Sequence, residues 1–383
     1  MDNITKKDIN KLINYDKEPC LSFSINTRKD AGDVKKMNIK YKNLLAKAEK
    51  MLENDWGFNP AEIKKILKKG KKLIGERTFW QHQNEGLVLF LGQNFFTYYR
   101  IPSSVKDYVH VSKYFNIIDI ISEATEKEKY YILALSSKYS RFFQAGKTGI
   151  QKIDIEDMPK NIEEVDEDVV IEEESKNRSQ SSVSSGQQMV FHGQDIGEKK
   201  PSEKLIKYLK QINLAIKKFS KGNKKPLILI CAKDLFPLYQ EINSYTGILD
   251  TFISGNPDKM DSEKIQESTW EEMRGYFADS KSKLINHYNN LKNTEKTSNE
   301  VKDIVTASVF GKVEKLLLAK NNMQPGKYVA KTNQVFLSDK ADSEFYDLYN
   351  FTAIKCFSAG AKIYFLEDEE MPGNSEIAAI YRY

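Results

Sequence analysis

Apolar and polar positions along this chain recur with two different periods, and the switches between them predict its elements. In CLSFSIN, Leu21, Phe23 and Ile25 alternate with polar neighbours, the period of a half-buried strand. Tyr41, Leu44, Leu45, Ala48, Met51 and Leu52 then recur at three- and four-residue spacing, a helix whose other face is rich in lysine. Asn59-Pro60-Ala61-Glu62 reads as a helix start, with Asn as the cap, Pro in the first turn and Glu able to reach back. The helix it opens buries Ile63, Ile66, Leu67 and Ile74 and turns Lys64, Lys65, Lys68, Lys69, Lys71 and Lys72 to solvent. GLVLFL at 86–91 is a buried strand ended by Gly92, and 95–100 is an aromatic strand.

A second unit begins near Lys129. YYILAL at 130–135 is a strand, SSKYS a turn, and 141–144 the returning strand. Pro201 opens a helix with Leu205, Leu209, Ile212, Ile216 and Phe219 on one face and Lys204, Lys207, Lys210, Lys217 and Lys218 on the remainder. A strand at 227–232 and a helix around 237–245 follow. A long polar helix over about 261–291 leads to a third unit. There Ser298 is expected to cap a helix with Val301, Ile304, Val305 and Val309, which stops at Gly311. A strand at 313–319, an insertion of hairpin character, a helix at 343–357 and strands at 361–366 and 377–381 complete an α/β sandwich. No repeat of fixed period occurs.

Length and composition fit this division. A chain of 383 residues with 40% hydrophobic and 30% charged positions suffices for two or three packed domains. No apolar run approaches the roughly 18 residues that cross a bilayer; the longest, PLILICA at 226–232, has the length of a buried strand. The opening MDNITKKDINKL lacks the apolar core of a signal peptide, and the chain is expected in the cytoplasm. Cys20, Cys231 and Cys356 lie far apart beside apolar residues, as small buried side chains of a reducing compartment do. Four histidines without ligand spacing argue against a metal centre.

The net charge of +5, from 59 Lys+Arg and 54 Asp+Glu, conceals strong segregation. Residues 34–77 hold thirteen bases and five acids, a local +8, and residues 199–225 hold ten bases and one acid, a local +9. Between them, residues 154–174 hold eleven acids and one base, Lys160, a local −10. The segment 154–200, acidic and then rich in Ser, Gln and Gly, has too little apolar surface to offset its ordering entropy and predicts a mobile loop. Two basic surfaces of this kind suit a polyanion.

Candidate chemistry is sparse. Gly146-Lys147-Thr148 ends like a phosphate loop, but position 141, where the motif needs glycine, is Arg141, so a turn between strands is the expectation. The chain has no G-x-S-x-G, H-E-x-x-H or C-x-x-C motif, and neither a cofactor nor a small-molecule substrate is indicated. What remains is Phe191-His192-Gly193-Gln194, inside the predicted loop.

The last third resembles the final domain of the archaeal–eukaryotic class I peptide-chain release factors and their relative Pelota. GKVEKLLLA (311–319) resembles that superfamily's GAV-x-x-LL strand, and GAKIYFLEDEEMPG (360–373) its GA-x-(V/L)-x-x-(V/I)-(S/T)-D-x-S-x-x-G segment. EIAAIYRY (376–383) resembles its GI-(A/G)-AILRY ending. EGLVLFLG (85–92) parallels NGLV-x-(Y/F)-x-G of the N-terminal domain, and FHGQD falls where the middle domain carries KHGRGGQS. The chain is most similar to a bacterial branch of this superfamily.

The resemblance implies a three-domain α/β architecture: residues 1–126, an RNase H-like middle domain at 127–285, and an L7Ae-like domain at 286–383. It implies a factor that occupies the ribosomal A site of stalled or idle ribosomes, in rescue or hibernation, with the ribosome, P-site tRNA and an EF-Tu-type translational GTPase as partners and no membrane. Lys64, Lys65, Lys68, Lys69, Lys72, Lys204, Lys207 and Lys210 would contact RNA. Gly193 and Gln194 match the last two residues of the Gly-Gly-Gln tripeptide that positions water on the peptidyl ester, while His192 stands at the first glycine. In a second alignment His192-Gly193 lies on the upstream HG, and Ser185-Gly186-Gln187 is another imperfect match. Binding without hydrolysis, peptidyl-tRNA hydrolysis through Gln194, and a protein-binding adaptor therefore stand as three readings. Asn38-Ile39-Lys40 reproduces the first three residues of the codon-reading NIKS, with Tyr41 in place of serine.

Overall fold

A computed structural model describes residues 4–27, 34–125, 128–147, 149–165, 201–221, 224–292 and 294–383. The chain falls into two compact units, one made of residues 1–127 and 276–383, the other of residues 128–275.

The N-terminal part of the first unit contains α1 (Lys6–Ile13), β1 (Cys20–Asn26), α2 (Val34–Asn54), α3 (Pro60–Lys71), α4 (Arg77–Gln81), β2 (Gly86–Gly92), β3 (Phe95–Ile101), β4 (Tyr108–Ser112) and α5 (Ile118–Thr125). Its strands form an antiparallel sheet in the order β3-β2-β1-β4. Alternation along β1 and β2 sends Leu21, Phe23, Ile25, Leu87, Leu89 and Leu91 to one face, where Tyr41, Leu45, Ala48 and Leu52 of α2, Ile63, Ile66 and Leu67 of α3, and Trp80 cover them. Each such aliphatic side chain contributes about 1.5–3 kcal/mol on burial.

The other sheet face presents Cys20, Val88, Phe90, Tyr99 and Ile101, and these share a core with residues from the C-terminal part of the same unit, Ile304, Leu316, Tyr349 and Ala353 among them. A buried polar seam runs beside it. Asn350 donates to the Phe115 carbonyl at 2.9 Å and accepts from Ile117 N–H at 2.9 Å. Asn116 N–H donates to Ser22 Oγ at 2.8 Å, and the Asn116 amide donates to Asp347 Oδ2 at 3.4 Å. Burial pushes the Asp347 carboxyl up to about 7, against the opposing pull of the N–H groups it accepts from Tyr349, Gln324 and Asn350 and of the Asn116 amide.

The second unit contains β5 (Tyr130–Leu135), β6 (Ser140–Gly146), β7 (Gly149–Ile153), α6 (Glu203–Phe219), β8 (Leu227–Cys231), α7 (Leu235–Ile242), β9 (Ile248–Ser254) and the first half of α8 (Ser262–Leu291). Strand order is β7-β6-β5-β8-β9, and β6 alone runs against the others. That order is the RNase H-like topology. Helices α6 and α7 cover one face through Tyr208, Leu209, Ile212, Ile216, Phe236 and Tyr239. On the other, the Tyr130 hydroxyl hydrogen-bonds Thr269 of α8 at 2.9 Å.

The C-terminal part comprises β10 (Thr297–Ser298), α9 (Val301–Val309), β11 (Val313–Ala319), β12 (Pro325–Val329), β13 (Gln334–Leu337), β14 (Tyr346–Asp347), α10 (Leu348–Ser358), β15 (Lys362–Leu366) and β16 (Ile377–Tyr381). A mixed sheet in the order β10-β16-β11-β15 carries Leu284 and Tyr288 of α8 on one face and α9 and α10 on the other side, an α/β sandwich. The insertion is a β12–β13 hairpin, with β14 on the other edge of β12. The helix expected over 343–357 begins only at Leu348. Tyr346 and Asp347 pair with Gly326 and Pro325, and the Asp347 carboxylate then caps the helix by accepting from Tyr349 N–H at 2.9 Å.

Candidate nucleic-acid interface

Helix α3 starts where its sequence places it. Asn59 Oδ1 accepts from Ala61 and Glu62 N–H, each at 3.0 Å, and the Glu62 carboxylate accepts from Asn59 N–H at 2.9 Å. At Gly70 the helix lies so close to the sheet that a Cβ would meet Leu91 Cδ2 at 2.5 Å and the Tyr41 hydroxyl at 2.8 Å. This docking orients the remaining face outward, and Lys64, Lys65, Lys68, Lys69, Lys71 and Lys72 are all exposed. Lys69 donates to the Asn94 carbonyl at 3.2 Å, and Lys71 pairs with Glu49. Lys64, Lys65, Lys68 and Lys72 have no ion-pair partner among the described residues. Lys64, Lys68 and Lys72 follow one another at four-residue spacing, one stripe of charge. Beside this helix Arg100 sits over the rings of Tyr98 and Phe79, 5.0 and 5.3 Å from their centroids.

Helix α6 is different. Ser202 Oγ caps it by accepting from Leu205 N–H at 3.2 Å. Its lysine face meets the first stretch of the acidic segment, which packs against the unit. Ile155, Met158 and Val165 are buried in the α6 core, Ser140 N–H donates to the Lys160 carbonyl at 2.9 Å, and Asn161 bridges Tyr139. The expectation of a mobile loop from residue 154 therefore does not hold for 154–165; three apolar side chains anchor that stretch. Lys204 pairs with Glu163 at 2.8 Å and Lys218 with Asp157 at 2.9 Å. The Lys204 ammonium draws the Glu163 carboxyl below its usual range. Lys207 is exposed and Lys210 half-buried, and neither has an ion-pair partner among the described residues.

His192, Gly193 and Gln194 lie outside the described residues, as does Ser185-Gly186-Gln187. The Glu163–Lys204 pair joins the residue positions that flank this stretch, just before 166 and just after 200. Asn38-Ile39-Lys40 sits in the first turns of α2. Lys40 is engaged by Asp107 at 2.9 Å, Ile39 is 56% exposed, and Tyr41, at the serine position, is wholly buried between Phe23 and Trp80. Among the described residues no group of His, Cys, Asp and Glu could hold a metal, and no helix is long and apolar enough to cross a membrane. All three cysteines are free and buried. Phe219, which the periodicity assigns to the apolar face of α6, is 40% exposed at its end, and Lys225, two residues before β8, falls outside every predicted lysine face. The run KKFSKGNKK could have singled both out, since an aromatic inside a lysine run is unusual for a merely solvated face.

With the geometry in view, known proteins offer a comparison. Residues 130–275 match the family described as bacterial archaeo-eukaryotic release factor family 7. The likeness to the release-factor/Pelota superfamily thus holds over the RNase H-like unit. No curated protein matches. Among solved structures, archaeal Pelota, in a structure of ribosome-bound Pelota and ABCE1, aligns at 10% identity and a TM-score of 0.42, over 75% of this chain and 72% of Pelota. Dom34 of S. cerevisiae aligns at 16% identity and a TM-score of 0.40, over 76% and 74% of the two chains. The archaeal termination factor aRF1 aligns at 13% identity and a TM-score of 0.24, over 99% of each.

Proposed function

We propose, from the release-factor kinship of residues 130–275, that this chain is a ribosome-binding translation factor that enters the A site of stalled or idle ribosomes and binds there without cleaving peptidyl-tRNA. The family match carries this reading. The electrostatics supports it: a helix with four exposed lysines that have no ion-pair partner among the described residues is suited to phosphate backbone, and lysine recognises phosphate as a compact point charge. In this reading α3 and α6 contact rRNA, and residues 286–383 receive an EF-Tu-type GTPase. His192 in place of a glycine restricts the backbone and enlarges the tip, which favours occupancy over hydrolysis.

Co-sedimentation with 70S ribosomes across a salt series tests it. Binding that falls steeply with salt is expected, and a protein that stays out of the 70S fraction at low and moderate salt would sink the proposal. Gly193-Gln194 favours a second reading, ester hydrolysis with Gln194 orienting water. Peptide release from stalled complexes separates the two. Release by the parent that is lost in Gln194→Ala would establish the enzyme, and no release by the parent removes it.

A further inference from the structure

Strand β13 is the outer strand of the small sheet β13-β12-β14, and it leaves both side chains and backbone open. Phe336 and Leu337 are each 45% exposed. Adjacent residues of a strand point to opposite sheet faces, so these two large apolar groups do not belong to one patch. Val335, on the Leu337 face, shares a core with Val305 of α9, Tyr346 and Phe351. Phe336 stands on the other face, opposite Lys327 of β12.

Two hydrogen bonds fix which backbone groups of β13 are used. Ser338 N–H donates to the Pro325 carbonyl at 2.9 Å, so Gln334, Phe336 and Ser338 turn their N–H and C=O toward β12. Tyr328, which opposes Val335, sends its N–H the other way, to the Tyr346 hydroxyl at 2.9 Å. The N–H and C=O of Val335 and Leu337 therefore face away from β12, and nothing among the described residues pairs with them. Soluble proteins blunt such edges with lysine, proline or a bulge. The strand QVFL has none of these, and its only protection is its shortness.

A partner docked on either face would cover one of the two exposed side chains. A strand added at the edge covers both and meets the four unpaired backbone groups. β13 itself has what that strand needs. Run antiparallel and centred on Phe336, two copies pair Val335 of one with Leu337 of the other. Each of these two pairs exchanges two hydrogen bonds, and Phe336 meets Phe336 across the two-fold axis in the closer, non-hydrogen-bonded position. Further out, Gln334 opposes Ser338, Asn333 opposes Asp339 and Thr332 opposes Lys340. Lys331 comes diagonal to Asp339 of the second copy; both are exposed, and neither has an ion-pair partner among the described residues.

We propose that β13 is a self-association edge, at which two copies of this chain join their hairpins about Phe336 into one six-stranded sheet. Two strands this short bury less than the roughly 1,200 Å² of a standard interface, so the dimer is weak, with a Kd on the order of 100 µM. Self-association at this edge is independent of the ribosomal reading.

Sedimentation velocity of the full chain from about 5 to 500 µM tests it, and the parent is expected to pass from monomer toward dimer over that range. Leu337→Pro removes an N–H that β12 does not use, and Phe336→Glu sets like charges opposite each other at an exposed position. Each should raise the Kd at least about tenfold while circular dichroism stays that of the parent. Under mild oxidation Phe336→Cys should form a disulfide between copies, whereas Gln334→Cys, which opposes Ser338 and not itself, should not. Both cysteines occupy exposed positions, so they decide the matter even where the proline disturbs the hairpin. The Val335 and Leu337 amides should exchange more slowly as the parent is concentrated. A parent that stays monomeric throughout, or a dimer that survives both Leu337→Pro and Phe336→Glu, would overturn the proposal. Equal crosslinking of the two cysteine variants would overturn the register. Protection of the two amides that appears only when a different protein is added would assign the edge to that protein and overturn the choice of a second copy.

Discussion

Helices α3 and α6 carry the same pattern, lysines crowding the face opposite an apolar stripe, yet the two faces differ in what they can bind. On α3, Lys64, Lys65, Lys68 and Lys72 are exposed and unpaired among the described residues. On α6, Lys204 and Lys218 are each held by an acid from the 154–164 stretch. An exposed pair of this kind adds little stability, but each neutralised lysine is one fewer phosphate contact. Charge counted along a chain therefore overstates a binding surface wherever the fold returns an acid to it.

The largest effect expected from this contrast is at α3. Lys64, Lys68 and Lys72→Glu together should weaken 70S association roughly a hundredfold at 0.1 M salt and reduce the salt slope by about three. If the equivalent reversal of Lys204, Lys207 and Lys210 proved more damaging, the contrast would be inverted. Next, Gly70→Ala should destabilise the first unit by about 2 kcal/mol, because its Cβ has no room between Leu91 and Tyr41. Chemical denaturation checks it, and unchanged stability would show that α3 is not held tightly to its sheet.

A smaller effect separates the units by pH. Asp347 lies in the unit that carries α3, and its folded pKa is raised, so the folded state holds a proton that the unfolded state has released. The stability this gives is present at low pH and is lost as pH rises through about 7, a change of roughly 1 kcal/mol between pH 6 and 8. His110 acts with the opposite sign. Burial, and then the Lys47 charge, hold its pKa down to about 4, so its contribution is lost as pH falls below the ordinary histidine range. The difference between the parent and Asp347→Asn isolates the carboxyl. Hydrogen exchange in β1 and β2 should accelerate with pH, beyond the intrinsic rate, more in the parent than in the variant, while β5 and β8 show no such difference. Smallest of all, Asp157→Ala with Glu163→Ala frees two lysines of α6 and should tighten RNA binding a fewfold at low salt, with the gain vanishing as salt rises. Weaker binding would mean that the acids order the helix rather than mask it.

Much of this is legible in the sequence. The Asn59–Glu62 capping box, the buried strand at 86–91, the polar helix at 261–291 and the last strand were all foreseen, because each depends on residues a few positions apart. Strand β9, ILDTFIS, has no counterpart among the elements that periodicity predicts. Its alternation is broken by Asp250 and Thr251, and it exists through parallel pairing with β8. Helix α10 starts five residues later than its pattern predicts for a similar reason, since pairing with β12 claims Tyr346 and Asp347. Among candidate residues, the α3 lysines could be read directly, whereas Tyr41, matched by position to a codon-reading serine, is a core residue.

Taken alone, the sequence determined most of the elements, the segregation of charge and the faces that lysine would occupy. These follow from the 3.6- and 2-residue periods of the backbone, which are local. Only the tertiary structure decided which lysines stay free, which acids pair with them, and that Phe219 and Lys225 share the Tyr131 ring. Asp157 and Lys218 are 61 residues apart, and Glu163 and Lys204 are 41. Whether such groups meet depends on how the sheet and helices pack, and side-chain periodicity carries no information about that.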